Sequence, residues 1–170
     1  MYPRILQFIA NAMRMDEHAW ERHANPWSVW TRIVSAPFLM LAIWSIHWIG
    51  WWAALPLGAF ALWYWLNPRI FPPPASTRSW AARAVMGERV YILSTLHPIS
   101  VYHRNAITLL SIGSAIGGLL MVTGLITAEP WVYLAGCVAA GLCKFWFLDR
   151  LVWLYDDMAR EVLEYQAWLR

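Results

Sequence analysis

The chain has 170 residues, of which 60% are hydrophobic and only 14% are charged, and its mean hydropathy is +0.43. Soluble globular domains average about 25% charged residues, so this composition excludes an ordinary soluble protein and predicts a membrane protein. The isoelectric point near 9.1 does not indicate nucleic-acid binding, because the basic residues lie thinly between apolar runs and do not share one solvated face. Lipid headgroups are the expected partner for this charge.

Residues 1–24 are predicted to form one amphipathic helix that lies on the membrane surface, with Phe8 and Trp20 on its apolar face and Arg14 on its polar face. Asn25 followed by Pro26 is typical of a helix start, in which Asn caps and Pro is the first helical residue. The stretch HAWERHANPWSVWTR, residues 18–32, is therefore interpreted as a turn into the membrane, with Arg22 and Arg32 anchored among headgroups.

Charge-poor runs predict four membrane spans. The run at residues 33–66 is too long for one crossing and fits two short ones, with Gly50 at the turn. A second hairpin occupies residues 106–148 and turns at residues 128–130. Pro37 and Pro56 fall inside the first two spans and are expected to kink them. The predicted spans are residues 33–49, 51–66, 106–127 and 131–148.

Residues 67–105 are predicted to be a cytoplasmic loop. Asn67 and Pro68 end the second span, and Ser76 or Thr77 caps a short amphipathic helix that ends at Gly87. Residues 144–170 contain no Pro or Gly, so the fourth span is expected to continue as one helix into the cytoplasm, over residues 149–170. The chain is thus an all-α, polytopic membrane protein that forms a single membrane domain over residues 1–170.

The basic residues predict the orientation. All 13 Lys and Arg residues lie within residues 4–32, 69–104 and 144–170. Four spans place these three blocks and both termini on one side, which the positive-inside rule identifies as the cytoplasm. Tryptophans fall at the predicted span ends, where their rings favour the headgroup level. The prediction is a multi-pass protein of the bacterial inner (cytoplasmic) membrane, with N- and C-termini cytoplasmic.

Small residues predict how the second hairpin packs. Gly113 and Gly117 form a GxxxG motif in the third span, and Gly136 offers a small residue in the fourth. We expect these residues to bring spans three and four together; self-association through the same face is the alternative. Cys137 and Cys143 lack the spacing of a redox or zinc motif and are interpreted as buried thiols.

Six polar residues are candidate metal ligands on the cytoplasmic face: His18, His23, His97, His103, Asp149 and Asp156. The string HAWERH resembles the first histidine box of membrane desaturases and hydroxylases, although no HxxHH box is present. Helical residues five apart differ by about 140°, so His18 and His23 are expected to point to different sides. The alternative is ordinary interfacial hydrogen bonding, with Asp149 paired to Arg32, Arg69 or Arg104 and Asp156 paired to Arg160.

Four strings, HANPWSVWTR, WLNPRIFPPP, GERVY and KFWFLDRLVWLYDDM, resemble a family of small bacterial four-span membrane proteins of unknown function. The resemblance covers both hairpins and implies four spans, and it brings no activity with it. We expect a non-catalytic accessory or assembly subunit of a larger membrane complex or homo-oligomer, without a cofactor. Its expected partners are membrane lipids and other membrane-protein subunits or its own copies, and no nucleic acid. The alternative is an iron-, zinc- or manganese-dependent membrane enzyme acting on a lipid-like substrate at the cytoplasmic face.

Overall fold

A computed structural model of the chain describes residues 7, 8 and 10–170, and this part is helical, without strands. Turns of 3-10 helix lie at Gly50–Ala53 and Leu93–Thr95. The helices in chain order are α1 (Glu17–His23), α2 (Pro26–Trp44), α3 (Ile46–Ile49), α4 (Ala54–Ile70), α5 (Trp80–Ile92), α6 (Val101–Thr127), α7 (Pro130–Glu161) and α8 (Leu163–Gln166).

The prediction of one helix over residues 1–24 is wrong for residues 10–24, which form two separate helical segments. Residues 1–6 and 9, also part of that prediction, lie outside the described residues. Residues 10–12 are helical, and the chain then turns at Arg14, whose φ is 49°. A new helix, α1, begins after Asp16, whose carboxylate accepts a hydrogen bond from the Ala19 N–H at 2.8 Å. Asp is among the preferred N-cap residues. Asp16 therefore starts a separate helix, although the apolar periodicity of the sequence continues without a break.

Helices α2 and α4 form the first hairpin. They run antiparallel, since Ser28 contacts Asn67 and the backbone of Arg32 contacts Tyr64. The chain reverses through α3 and the following 3-10 turn, where Gly50 has φ 54°, a conformation that glycine adopts without strain.

Three prolines of this hairpin act differently. Pro37 lies inside α2, as expected. Pro56 lies in the first turn of α4, where a missing N–H breaks no helical bond, so the kink predicted there is wrong. Asn67 and Pro68 do not end the helix, which continues to Ile70, because buried hydrogen bonds hold the Asn67 side chain in place.

Helices α6 and α7 form the second hairpin and turn at residues 128–130, where predicted. Glycines let the two backbones approach closely. A Cβ on Gly117 would lie 2.5 Å from the Ala140 nitrogen, and one on Gly136 would lie 2.7 Å from the Gly117 oxygen. A Cβ on Gly113 would lie 2.7 Å from the Cys143 sulfur. The three glycines singled out in the sequence therefore sit in the α6–α7 contact.

A packed layer lies at one end of both hairpins; it comprises residues 10–24, 80–92 and 147–168 and contains most of the buried apolar side chains. Helix α5 lies against α7 within this layer. The prediction that this helix ends at Gly87 is wrong. The helix continues to Ile92, because Gly87 allows the α5 backbone to touch the Leu151 carbonyl group. The cap is Ser79, which accepts from the Ala82 N–H at 3.2 Å, so the predicted caps Ser76 and Thr77 are also wrong.

The end of the chain folds back onto the packed layer. Helix α7 ends at Glu161 because Val162 is extended, so the single helix predicted to residue 170 is interrupted. The Tyr155 hydroxyl then donates to the Tyr165 carbonyl oxygen at 2.9 Å. The Thr77 N–H donates to the Arg170 carbonyl oxygen at 2.8 Å, which explains why Thr77 is not free to cap α5.

Within the described residues, three segments are long and apolar enough to cross a membrane, and not the four spans predicted: Pro26–Ile70, Val101–Thr127 and Pro130–Glu161. The first of them contains both arms of the first hairpin, α2 and α4. In the most apolar 18-residue stretches of the three segments, only 6%, 17% and 22% is buried, respectively. These helices therefore expose apolar side chains over most of their surface, which is compatible with a lipid environment.

Candidate functional site

A buried polar network joins α1, α2 and α4 where the first hairpin meets the packed layer. The side chains of Ser28 and Asn67 are fully buried, and the Ser28 hydroxyl donates to Asn67 Oδ1 at 2.7 Å. Asn67 Nδ2 donates to Thr31 Oγ1 at 3.0 Å. His23 Nδ1 lies 2.9 Å from Ser28 Oγ, and Arg32 Nη1 lies 3.1 Å from His23 Nε2. Five polar side chains are thus connected in one chain of hydrogen bonds.

Two Asn-Pro pairs place these side chains. Asn25 caps α2, since its Oδ1 accepts from the Trp27 N–H at 2.9 Å, and its Nδ2 donates to the Pro72 carbonyl oxygen at 2.9 Å. Asn67, before Pro68, faces α2 from the other arm of the hairpin. One Asn therefore fixes where α2 begins, and the other holds the end of α4 against it.

The direction of the hydrogen bonds determines the protonation of His23. A serine hydroxyl has one proton, and that of Ser28 is donated to Asn67, so Ser28 Oγ must accept from His23 Nδ1–H. Arg32 can only donate, so His23 Nε2 accepts from it. His23 is therefore the neutral imidazole that carries its proton on Nδ1.

The electrostatic environment keeps His23 neutral. Burial away from water, and secondarily the nearby positive charge of Arg32, lower the pKa of His23 to about 3. A proton on Nε2 would also remove the acceptor that Arg32 uses. His23 thus serves as a neutral connector at physiological pH.

The network is arranged for structure and not for nucleophilic catalysis. A histidine that activates a serine accepts the serine proton, whereas His23 donates to Ser28. The Ser28 side chain is also fully buried. What the arrangement does is tie α1 to both arms of the first hairpin and satisfy polar groups that burial would otherwise make costly.

The structure does not bring the histidine candidates together. His18 is exposed while His23 is buried, as their spacing on the helix predicts. His97 packs against the Tyr165 ring, at 5.3 Å between ring centroids. His103 is buried, and its Nε2 donates to Asp157 Oδ2 at 2.9 Å.

The two acidic candidates have other partners than those predicted. Asp149 accepts from Trp80 Nε1 at 3.1 Å and not from Arg32, Arg69 or Arg104. Asp156 pairs with Arg83 of α5 at 2.7 Å and not with Arg160. In the part of the chain that the structure describes, no three His, Cys, Asp or Glu side chains are grouped to hold a metal ion. The metal-enzyme alternative thus gains no support from this geometry.

Arg22, interpreted as a headgroup anchor, is exposed and also makes a contact within the protein, so its anchoring among headgroups stays a prediction. Its Nη1 donates to the Arg69 carbonyl oxygen at 2.9 Å, and Arg69 in turn donates to the Met13 carbonyl oxygen. Both guanidinium groups therefore connect the segment before α2 to the end of α4.

Sequence reasoning missed Ser28 and Asn67, which lie at the centre of the network. The signal that could have identified them is the repeated Asn-Pro, in HANPW at the start of one arm of the hairpin and in WLNPR at the end of the other. When two antiparallel helices of similar length each carry an Asn-Pro pair at the same end of the hairpin, the residues near the two pairs lie opposite each other, as Ser28 and Asn67 do.

The fold and the site define an all-helical protein with several helices compatible with membrane crossing and a hydrogen-bonded layer at one end. A family model matches residues 5–167, nearly the whole chain, and the chain belongs to that family, described as Family of unknown function (DUF6653). No curated protein and no solved structure matches the chain.

Proposed function

We propose that the chain is a four-crossing protein of the bacterial inner membrane that acts as a non-catalytic accessory or assembly subunit of a larger membrane complex or homo-oligomer. The observation that carries this proposal is a contrast in burial. The packed layer has a continuous buried core, whereas only 6% of the most apolar stretch of Pro26–Ile70 is buried. A helical hairpin left this open needs lipid or other helices around it.

Four crossings are supported by the lengths of the first hairpin's arms. At about 1.5 Å per residue, the 19 residues of α2 span about 28 Å and the 17 residues of α4 about 25 Å. Both lengths approach the hydrocarbon thickness of about 30 Å, and tilt or local thinning accommodates such differences. Two antiparallel arms then cross twice, and α6 and α7 add two more crossings.

A cytoplasmic packed layer is supported by the charges at the two ends of the hairpins. The basic residues that the structure describes lie at the packed layer or at the helix ends that enter it, whereas the opposite turns carry Glu129 and no Lys or Arg. The same turns expose Trp48, Trp51 and Trp131, which suit the membrane–water interface.

A subunit role is supported by one face of α4. Leu55, Gly58 and Leu62 share this face by their spacing, and Leu55 and Leu62 are 66% and 57% exposed. A Cβ on Gly58 would have nothing within 4 Å. A small residue between two exposed leucines allows a second helix to approach closely, which is how helices associate in lipid. We propose that a helix of a partner subunit or of another copy packs here.

Topology is tested by introducing single cysteines, in a background without Cys137 and Cys143, at Ser76 and at Glu129. A membrane-impermeant thiol reagent applied to intact cells should label the Glu129 position only, and after lysis it should label both. Labelling of both positions, or of the Ser76 position alone, in intact cells contradicts the proposed orientation.

The subunit role is tested by placing a photo-crosslinking residue at Leu62 and, as a control, at Leu119, which is 67% exposed on α6. A protein adduct of one defined mass should form from Leu62 and not from Leu119. Adducts with lipid alone from both positions, together with a monomeric mass in mild detergent, would overturn the subunit role. Stoichiometric bound metal with turnover of a lipid would replace it with the enzyme alternative.

A further inference from the structure

Two basic side chains lie between the hairpins at the edge of the apolar zone. Arg32 belongs to α2 and Lys144 to α7, and the two are close enough to interact electrostatically. A stack of rings lies beside them: Trp80 packs on Trp30 at 5.6 Å and on Phe145 at 5.4 Å between centroids. Arg32 follows Trp30 into α2, and Lys144 precedes Phe145 in α7, so both cations are on the apolar side of this stack.

Arg32 and Lys144 lie near acidic groups but have no carboxylate at ion-pair distance among the described residues. Glu88 of α5 interacts electrostatically with both. Among the described residues, neither cation forms an ion pair within 4.0 Å, in contrast with Arg83 and its carboxylate. Arg32 instead donates to neutral His23 at 3.1 Å, and the Lys144 ammonium group lies 4.4 Å from the Phe147 ring centroid. A second acid, Asp149, accepts from Trp80 of the ring stack at 3.1 Å. Neither it nor Glu88 forms an ion pair within 4.0 Å with Arg32 or Lys144, so both cations lack a close carboxylate among the described residues.

Helices α2 and α7 are joined at two levels. Farther into the apolar zone than the cations, the Tyr133 hydroxyl donates to the Met40 carbonyl oxygen at 2.6 Å. Beside the cations, the ring stack joins the two helices. Between these links the two helices do not pack closely side by side, and exposed apolar residues such as Phe38 and Leu142 lie on them.

We propose that Arg32 and Lys144 bind the phosphate group of an anionic phospholipid whose acyl chains lie between α2 and α7. The proposal rests on the membrane placement given above. An uncompensated cation at the membrane boundary is costly unless it finds a partner, and a lipid phosphate at headgroup depth provides one. A lipid fits better than free phosphate because exposed apolar side chains such as Phe38 and Leu142 lie on these helices beyond the cations. Glu88 limits the positive charge and so tunes how strongly the anion binds.

The test measures which lipid stays with the protein. The protein is reconstituted in vesicles with equal phosphatidylglycerol and phosphatidylcholine, extracted in mild detergent, and analysed for retained lipid by native mass spectrometry. The wild type should retain phosphatidylglycerol preferentially. Combined Arg32→Gln and Lys144→Gln should reduce that retention by about tenfold, since each basic residue near the surface contributes appreciably.

The matched control is the combination Arg78→Gln and Arg104→Gln, which removes two exposed cations from the same end of the molecule. Its retention of phosphatidylglycerol should stay within twofold of the wild type. An equal loss in both double variants would mean general attraction of anionic lipid and would overturn the site, as would full retention by the Arg32 and Lys144 variant.

Glu88→Gln tests the site without removing a cation, which matters because Arg32 also holds His23. It raises the net charge of the site by one, so phosphatidylglycerol retention should increase severalfold; no increase overturns the proposal. A last experiment compares inorganic phosphate with the lipid. If phosphate protects the lipid-free protein against heat as well as phosphatidylglycerol does, the ligand is a free anion and not a lipid. These lipid measurements are separate from the tests of the proposed function. The crosslinking at Leu62 tests the subunit role, and the cysteine labelling tests the membrane topology.

Discussion

Replacing Gly87 with Ala tests how the packed layer is built. Gly87 lies where α5 meets α7, and a Cβ there would be 2.5 Å from the carbonyl carbon of Leu151 and closer still to its oxygen. Ordinary contacts begin at 3.4 Å, so the α7 backbone would have to withdraw by about 0.9 Å or more. A backbone in the middle of a long helix cannot rotate aside as a side chain can.

The cost of Gly87→Ala follows from two opposing effects. Overpacking a well-packed contact costs about 1–3 kcal/mol, and a backbone-to-backbone overlap belongs at the upper end of that range. The greater helix preference of Ala returns up to about 1 kcal/mol. The expected net loss is about 2 kcal/mol, which corresponds to a decrease in melting temperature of about 4–8 °C for a chain of this size.

The measurement is thermal unfolding of the purified protein in one mild detergent, followed by tryptophan fluorescence. The matched control is Gly141→Ala in α7, where a Cβ would have nothing within 4 Å. This variant should melt at or above the wild-type temperature, because it gains helix preference without a clash. If Gly87→Ala melts as high as Gly141→Ala, the close approach of α5 to α7 at Gly87 is not a feature of the folded protein.

Three further predictions concern hydrogen bonds of the first hairpin. Acid should destabilise the protein through His23, because its pKa is lowered to about 3 in the fold. The stabilisation from neutral His23 is complete above about pH 6.5 and decreases as the pH falls toward 3. His23→Asn should therefore flatten this part of a curve of melting temperature against pH. Asn67→Leu should cost about 1–3 kcal/mol in denaturant unfolding, because it leaves the buried Ser28 hydroxyl without an acceptor; a neutral result would contradict the network. Tyr133→Phe removes the donor to the Met40 carbonyl oxygen and should lower stability by about 1 kcal/mol while leaving helix content, measured by circular dichroism, unchanged.

Features that depend on neighbours in sequence were predictable. The Ala-Glu-Pro turn between α6 and α7 was located because a charge and a proline interrupt an otherwise apolar run. The cap of α2 was located because Asn25 and Pro26 are the favoured residues at those two positions. Both predictions depend on local backbone chemistry, which a single sequence contains.

Features that depend on distant residues were not predictable. Gly87 was interpreted as a helix end, which is its common role, yet here it is kept in the helix by the contact with Leu151, 64 positions along the chain. Asp156 has an arginine four residues away, the usual helical partner, but pairs with Arg83 of another helix. Periodicity and spacing describe one helix at a time and do not say which helix it will meet.

The cationic residues illustrate how the layer and the membrane placement are linked. Arg83 and Arg89 hold α5 to α7 and α1 through Asp156 and Glu17, and Arg22 bonds the backbone at the end of α4. These guanidinium groups therefore make contacts within the protein in addition to any they make with their surroundings. In the proposed orientation, the positive residues that favour the cytoplasmic side also hold the packed layer together, so orientation and folding reinforce each other. Arg32 and Lys144, which stay without a carboxylate at close range among the described residues, are the cations on which the proposed lipid binding depends.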